Sequence, residues 1–197
     1  MMGKLKKLTG YRLFLPLSCL IIVLLINLIT TPTFFRITIN NGVLYGYIID
    51  VINRASELVV LAVGMTLVVS ASAGTDISVG AVMAVAAAVC TRVLAGGEVS
   101  VNEYANPYVL AVLAALAAAV VCGGFNGLLV AKLKIQPMVA TLILFTAGRG
   151  ISQLVTNGQI TYIRVDGYKL LGNNIPGIPI PTPIFVAVIV VALTYIL

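Results

Sequence analysis

The chain has 197 residues, of which 60% are hydrophobic and 9% charged, and its mean hydropathy is +1.12. Ordinary soluble domains carry about 25% charged residues, so these values exclude a water-soluble globular protein. The net charge of +6 does not describe a nucleic-acid surface. Lys4, Lys6, Lys7 and Arg12 cluster directly before the first apolar segment, as a cytoplasmic flank does under the positive-inside rule.

That first apolar segment covers residues 13–31. The sequence "TPTFFR" follows it without a small-x-small cleavage pattern, which makes it an anchor rather than a removed signal peptide. A second apolar segment covers 58–73 and a third covers 79–95. The stretch "AGTDISVG" joins them, with Gly74 and Gly80 bracketing Thr75, Asp76 and Ser78. Asp76 is the only charged residue between Glu57 and Arg92. Two readings stand side by side. A short cytoplasmic loop could let Asp76 or Ser78 cap the next helix. Alternatively, the chain is a discontinuous helix whose break lies inside the bundle, where only protein or a water-filled cavity can cover irregular backbone.

A fourth segment, 108–131, carries small residues at four-residue spacing: Ala111, Ala115, Ala119, Gly123, Gly127 and Ala131. A second row runs beside it through Ala114, Ala118, Cys122 and Asn126. Gly80, Ala84 and Ala88 repeat the spacing in the third segment. In lipid, rows of this kind let helix backbones approach closely, and the expectation is a compact bundle with its small faces inward. "CGGFNG" is not a phosphate loop, because no lysine follows it and the surroundings are an apolar helix. Any nucleotide hydrolysis belongs to a separate subunit.

The fifth segment, 137–155, contains Arg149. Twelve residues into a helix place it roughly 18 Å deep, where an ionisable group faces a cavity or a partner, or snorkels to the interface. Thr141, Ser152 and Thr156 share its helical face, and Gln153 stands beside them. The sixth segment, 184–197, has 14 residues, fewer than the ~20 that cross a bilayer. The expectation is the front part of a longer protein.

These segments define an all-α fold: one polytopic transmembrane helical bundle over residues 1–197, with about five full spans plus a partial sixth. With the N-terminus cytoplasmic, "KLKIQP" falls inside with two lysines, and "GGEVSVNEYANP" falls outside with Glu98 and Glu103. Arg36, Arg54, Arg164 and Lys169 in the outer segments 32–57 and 156–183 weaken that asymmetry without reversing it. Cys19, Cys90 and Cys122 lie in apolar segments without ligand-like spacing. No disulfide, metal or cofactor is expected.

Two stretches carry a family likeness. "AVGMTLVVSASAGTDISVGAVMAVAAAV" and "KIQPMVATLILFTAGRGISQLVTNGQI" resemble two regions of ATP-binding-cassette permeases for ribose and other simple sugars. With "IIDVINRASELVVLAVGMTL" the likeness is to the galactofuranose-type branch, over roughly residues 48–160. The family usually shows a double glycine and a bulky aliphatic residue before the aspartate, whereas Ala73-Gly74 and Thr75 stand here. The resemblance implies a multi-pass permease of the bacterial cytoplasmic (inner) membrane that pairs with a second permease copy or a paralogue. It also implies a cytoplasmic ATP-binding cassette ATPase subunit and an extracytoplasmic sugar-binding protein. The segment that couples to the ATPase is expected later than residue 197, so the chain alone is not expected to couple ATP hydrolysis to transport.

The leading expectation is therefore a monosaccharide-importing permease subunit. A neutral sugar needs hydroxyl-binding groups, and Asn126, Thr141, Arg149, Ser152 and Gln153 are the path candidates, with Gly74, Asp76, Ser78 and Gly80 as the signature turn. The alternative is a proton- or ion-coupled secondary transporter, with Asp76 titrating and Arg149 as its partner. An intramembrane enzyme fares worst. There is no histidine, and Asp76 has no second carboxylate in the predicted bundle with which to form an acid–base pair.

Overall fold

The computed structural model describes residues 13–31, 33–40, 42–169, 172 and 178–196. The basic cluster of Lys4, Lys6, Lys7 and Arg12 lies outside the described residues, as does Leu197. Helix α1 (Phe14–Thr30) is followed by a hairpin of β1 (Thr38–Asn40) and β2 (Val43–Tyr45), then α2 (Tyr47–Ser72) and α3 (Val79–Leu94). Strand β3 (Ser100–Val101), α4 (Tyr108–Ala131), α5 (Pro137–Val155), β4 (Tyr162–Ile163), a 3-10 turn (Asp166–Lys169) and α6 (Thr182–Ile196) complete the order.

The chain folds as a helical membrane protein. Helices α2, α4 and α5 are each long and apolar enough to cross a bilayer, whereas α1, α3 and α6 are shorter apolar helices. On α1, which buries no residue, the polar side chains turn back on their own backbone. Asn27 Nδ2 donates to the Val23 carbonyl and Thr30 Oγ1 to that of Ile26, each at 2.9 Å. Such bonds satisfy polar atoms that lipid cannot.

One expectation needs correction. Helix α2 begins at Tyr47, not at residue 58. Asp50, Arg54 and Glu57 depress the local hydropathy, but their i, i+4, i+7 spacing gathers them on one exposed helical face. Backbone hydrogen bonding needs no apolar side chain there. The helix starts where Gly46 lies so close to residue 36 that an added Cβ would sit 2.7 Å from the Arg36 carbonyl oxygen. Four short strands of two or three residues accompany the helices. β1 and β2 pair antiparallel, and β3 pairs parallel with β4 through Ser100–Tyr162 and Val101–Ile163.

Helix α3 is the centre of the packing, flanked by α4 and α5. It buries Ala81, Val85, Ala88 and Leu94. Ala111, Asn126 and Leu129 are buried from α4, and Ala140, Thr141, Leu144 and Gly148 from α5. Helix α2 packs instead on α6, burying Ser56 against a face that includes Ala187.

The small-residue rows face inward only in part. Ala114, Ala118, Cys122 and Asn126 are half-buried or buried along the whole row. The other row starts at fully buried Ala111 but leaves the interface at Gly123, Gly127 and Ala131, which are exposed. A four-residue step advances about 400°, so five such steps rotate a row by about 200° around a straight helix. Gly80 is likewise exposed with open space at its Cβ position, and the α3 contact is made by Ala81, Val85 and Ala88.

Candidate functional site

Residues 73–78 form the joint between α2 and α3. Ala73 closes α2 in the left-handed region, at φ 52° and ψ 22°, and its N–H donates to the Val69 carbonyl at 2.9 Å. Gly74 then passes against the first residue of α5. A Cβ there would lie 2.5 Å from both Cβ and Cγ of Pro137, so only glycine fits at this crossing.

Beyond Gly74 the joint is held from three sides. The Ser78 N–H donates to Asp76 Oδ1 at 2.7 Å and the Ser78 hydroxyl to the same oxygen at 2.6 Å. From α4, Asn126 Nδ2 donates to Ser78 Oγ at 2.8 Å. From α5, Thr141 Oγ1 accepts the Ile77 N–H at 3.3 Å. Ser78 is completely buried, Thr141 is 3% exposed and Asn126 7%. Thr141 is the fifth residue of α5, so the joint lies about 6 Å inside that end of the bundle. Irregular backbone at that depth survives because α4 and α5 cover it.

Capping here takes a particular form. Ser78 occupies the N-cap position of α3 but its side chain makes no capping bond. Its hydroxyl proton is committed to Asp76, and Asp76 closes an Asx turn on the Ser78 N–H. Asn126 can therefore meet Ser78 only as a donor, which turns its carbonyl oxygen away. Asn126 Oδ1 is buried and has no hydrogen-bond partner among the described residues.

Beneath the joint lies a cavity of about 460 Å³ between α2, α4 and the start of α5. Ser72, Thr75, Asp76, Asn126 and Thr141 supply its polar groups, and Gly123 and Gly127 are on its wall. A second groove of about 290 Å³ runs between the far halves of α3 and α5. It is lined by Thr91, Ser152, Gln153, Thr156, Gln159 and Thr161, among others.

The path candidates therefore divide. Asn126 and Thr141 meet at the first cavity, and Ser152 and Gln153 at the second groove. Arg149 lines neither: it is exposed, with its guanidinium carbon 4.9 Å from the centroid of the Phe145 ring one turn back. It is not a partner of Asp76. Thr141, beside the joint, is eight residues from Arg149, or about 12 Å along α5. Of the signature turn, Gly74, Asp76 and Ser78 make the contacts above, whereas Gly80 faces open space. Sequence reasoning did not foresee the Asn126–Ser78 bond or the Gly74–Pro137 crossing. Asn126 carried a signal nonetheless, as the one amide in a row of small residues.

Thr141, Gly148 and Ser152 fall on one stripe of α5. Between the two polar pockets that stripe is closed, because a Cβ at Gly148 would lie 3.0 Å from the Cβ of Ala81 on α3.

Apolar helices in sequence, a buried polar joint and two polar pockets between helices define a multi-pass helical membrane protein. Residues 47–197 match the family described as the permease component of the branched-chain amino acid transport system, and the chain belongs to that family. It is similar to the galactofuranose transporter permease protein of Escherichia coli, at 42% identity over 92% of this chain and 50% of that protein. It is 36% identical to a fructose import permease protein of Bifidobacterium longum, over 86% of this chain and 44% of the relative. The ribose import permease protein of Escherichia coli is 32% identical over 88% of this chain and 50% of its own length. The chain thus spans about half the length of the curated relatives it matches. No solved structure matches it.

Proposed function

We propose that the chain is part of a permease subunit that carries a monosaccharide across the bacterial cytoplasmic membrane in an ATP-driven importer. Three relatives named as galactofuranose, fructose and ribose permeases support a sugar as cargo. The structural observation behind the reading is the α5 stripe. It offers neutral hydroxyl and amide groups at both ends, at Thr141 with Asn126 and at Ser152 with Gln153. Neutral hydroxyl-bearing cargo is recognised by such groups and needs no counter-charge. The closed Ala81–Gly148 crossing between them suits a conduit opened by the movement of other subunits.

The wider reading follows from the same assignment. The chain is a single transmembrane domain with about five full spans and a partial sixth, its N-terminus cytoplasmic. The joint at residues 73–78 and the Lys132–Lys134 loop share one end of the bundle, which is then the inner one. The β3–β4 ladder ties the loops of the opposite end. An ATPase subunit, an extracytoplasmic sugar-binding protein and a second permease copy or paralogue complete the transporter. Proton-coupled transport through Asp76 and Arg149 is disfavoured by geometry, because Asp76 is bonded to Ser78 and Arg149 packs on Phe145.

The test is uptake of labelled ribose, fructose and galactose into vesicles holding the complete transporter. ATP-dependent uptake that survives collapse of the proton gradient supports the reading. Uptake that ignores ATP and stops with the gradient overturns it.

A further inference from the structure

The groove between the far halves of α3 and α5 presents hydroxyl oxygens whose protons are already used. Thr91 Oγ1 donates to the Ala87 carbonyl at 3.0 Å, Ser152 Oγ to that of Arg149 at 2.8 Å, and Thr156 Oγ1 to that of Ser152 at 3.1 Å. Each oxygen keeps lone pairs, and all three residues are half-buried on the groove wall. Toward an occupant they act as acceptors. Gln153 and Gln159 also line the groove, are exposed, and make no side-chain hydrogen bond among the described residues. Their amides offer both donors and acceptors. Gln159 and Thr161 are brought there by the β3–β4 ladder, in which the Tyr162 N–H donates to the Val99 carbonyl at 2.8 Å and the Arg164 N–H to that of Val101 at 2.9 Å. Ala84, Ala87 and Ala88 of α3 supply a small apolar wall, and no described residue lining the groove is charged. Its volume of about 290 Å³ lies at the lower end of small-molecule sites, ~300–1,000 Å³.

We infer that this groove is a monosaccharide subsite at the outer end of the bundle, in which Thr91, Ser152 and Thr156 accept hydrogen bonds from the sugar's hydroxyls. The Gln153 and Gln159 amides complete the polar contacts, and a C–H face of the sugar rests on the alanines of α3. The inference deepens the permease reading and rests on it for the class of ligand and for which end is outer. The chemistry also selects among ligands. A polyol donates from every hydroxyl, as oxygens with spent protons require. A free amino acid, the cargo class in the family's description, would bring an ammonium and a carboxylate into a groove that holds no counter-charge, a desolvation cost that a neutral sugar avoids. Through Gln159 and Thr161 an occupant also bridges α3 and α5 to the loop that the β3–β4 ladder holds.

The probes are ribose, fructose, galactose and leucine, each presented to the chain in lipid nanodiscs and observed by saturation-transfer NMR. Ala87→Leu fills the groove from an exposed position on α3. Gln159→Ala trims one exposed amide outside the helices, where a folding defect is not at issue. Saturation transfer to at least one sugar and none to leucine is expected in the wild type, lost in Ala87→Leu and weakened about fivefold in Gln159→Ala. Deoxyfluoro analogues keep an acceptor but lose the donor, and should bind as weakly as the matching deoxy sugars. Transfer that persists unchanged in Ala87→Leu overturns the subsite by placing the sugar elsewhere. Transfer to leucine in place of the sugars, or to no probe at all, also overturns it. The vesicle uptake assay separates the two proposals. ATP-driven uptake by the complete transporter that is indifferent to Ala87→Leu removes the subsite and leaves the permease reading intact. Uptake driven by the proton gradient alone, and abolished by Ala87→Leu, removes the ATP-driven reading and leaves the subsite.

Discussion

Asn126 on α4 donates to the hydroxyl of Ser78 at 2.8 Å, across 48 residues of chain. The Ser78 hydroxyl in turn donates to Asp76 Oδ1, so the three side chains form a directed series that ends on a carboxylate. Hydrogen bonds to an ionised acceptor are shorter and roughly twice as strong as neutral ones. The series pins the start of α3 against α4 at the point where α2 ends.

Replacement of Asp76 tests what the carboxylate does. Asp76→Asn keeps an oxygen that accepts both Ser78 donors, and loses only the charge assistance, about 1 kcal/mol. Asp76→Leu orphans the buried Ser78 N–H and hydroxyl together, for about 2–4 kcal/mol. Denaturation midpoints in mixed micelles should rank wild type, Asn and Leu in that order, with transport following. Equal loss in both variants would show that the charge itself is required.

Ala73 offers a stabilising change. A non-glycine residue in the left-handed region costs roughly 1–2 kcal/mol, and Ala73 holds φ 52° there. Ala73→Gly should raise the micelle denaturation midpoint by the equivalent of about 1 kcal/mol. It would also restore the double glycine usual in the sugar permeases that the sequence resembles. A lowered midpoint would contradict this account of the joint.

The Gly74 crossing predicts a rescue. Gly74→Ala drives a methyl into the Pro137 ring and should cost about 1–3 kcal/mol. Gly64→Ala, in the middle of α2 with open space at Cβ, should be neutral or stabilising by about 0.5–1 kcal/mol. Adding Pro137→Gly removes both clashing ring atoms, so the double mutant should recover part of the Gly74→Ala loss. Additive losses would mean that the two residues do not touch.

A neighbouring pair of glycines separates packing from spacing. Gly148→Leu pushes α5 off Ala81 and should cost about 1–3 kcal/mol. Gly150→Leu points into open space and should stay within about 0.5 kcal/mol. If the closed stripe is a gate, Gly148→Leu also changes the uptake rate while Gly150→Leu does not.

Arg149 stands on Phe145, away from both polar pockets. Arg149→Gln should therefore leave sugar uptake within about twofold, whereas the proton-coupled alternative requires its abolition. Uptake measured with and without a proton gradient in this variant decides between them.

Hydropathy and spacing alone placed much of this fold. The ends of α4 and α5 fall at residues 108, 131, 137 and 155, where turn-forming or charged residues interrupt continuous apolar runs. The interruption around Asp76 was equally legible, because a lone carboxylate between two glycines is a strong local signal. The start of α2 was not, since charges on one helical face lower the hydropathy of a segment without stopping its backbone from coiling.

What the sequence determined, then, was everything that depends on near neighbours: which segments are apolar, where they break, and that a polar turn stands at the break. The tertiary structure alone decided which side chains answer that turn. Asn126 and Thr141 lie 48 and 64 residues from the groups they bind, and nothing local marks a hydrogen bond made only when helices dock. It also decided which small-residue row faces inward and that Arg149 faces out. The physical reason is rotation: a helix turns about 100° per residue, so a face chosen at one end of a docked pair is lost or kept at the other according to how the partner crosses it.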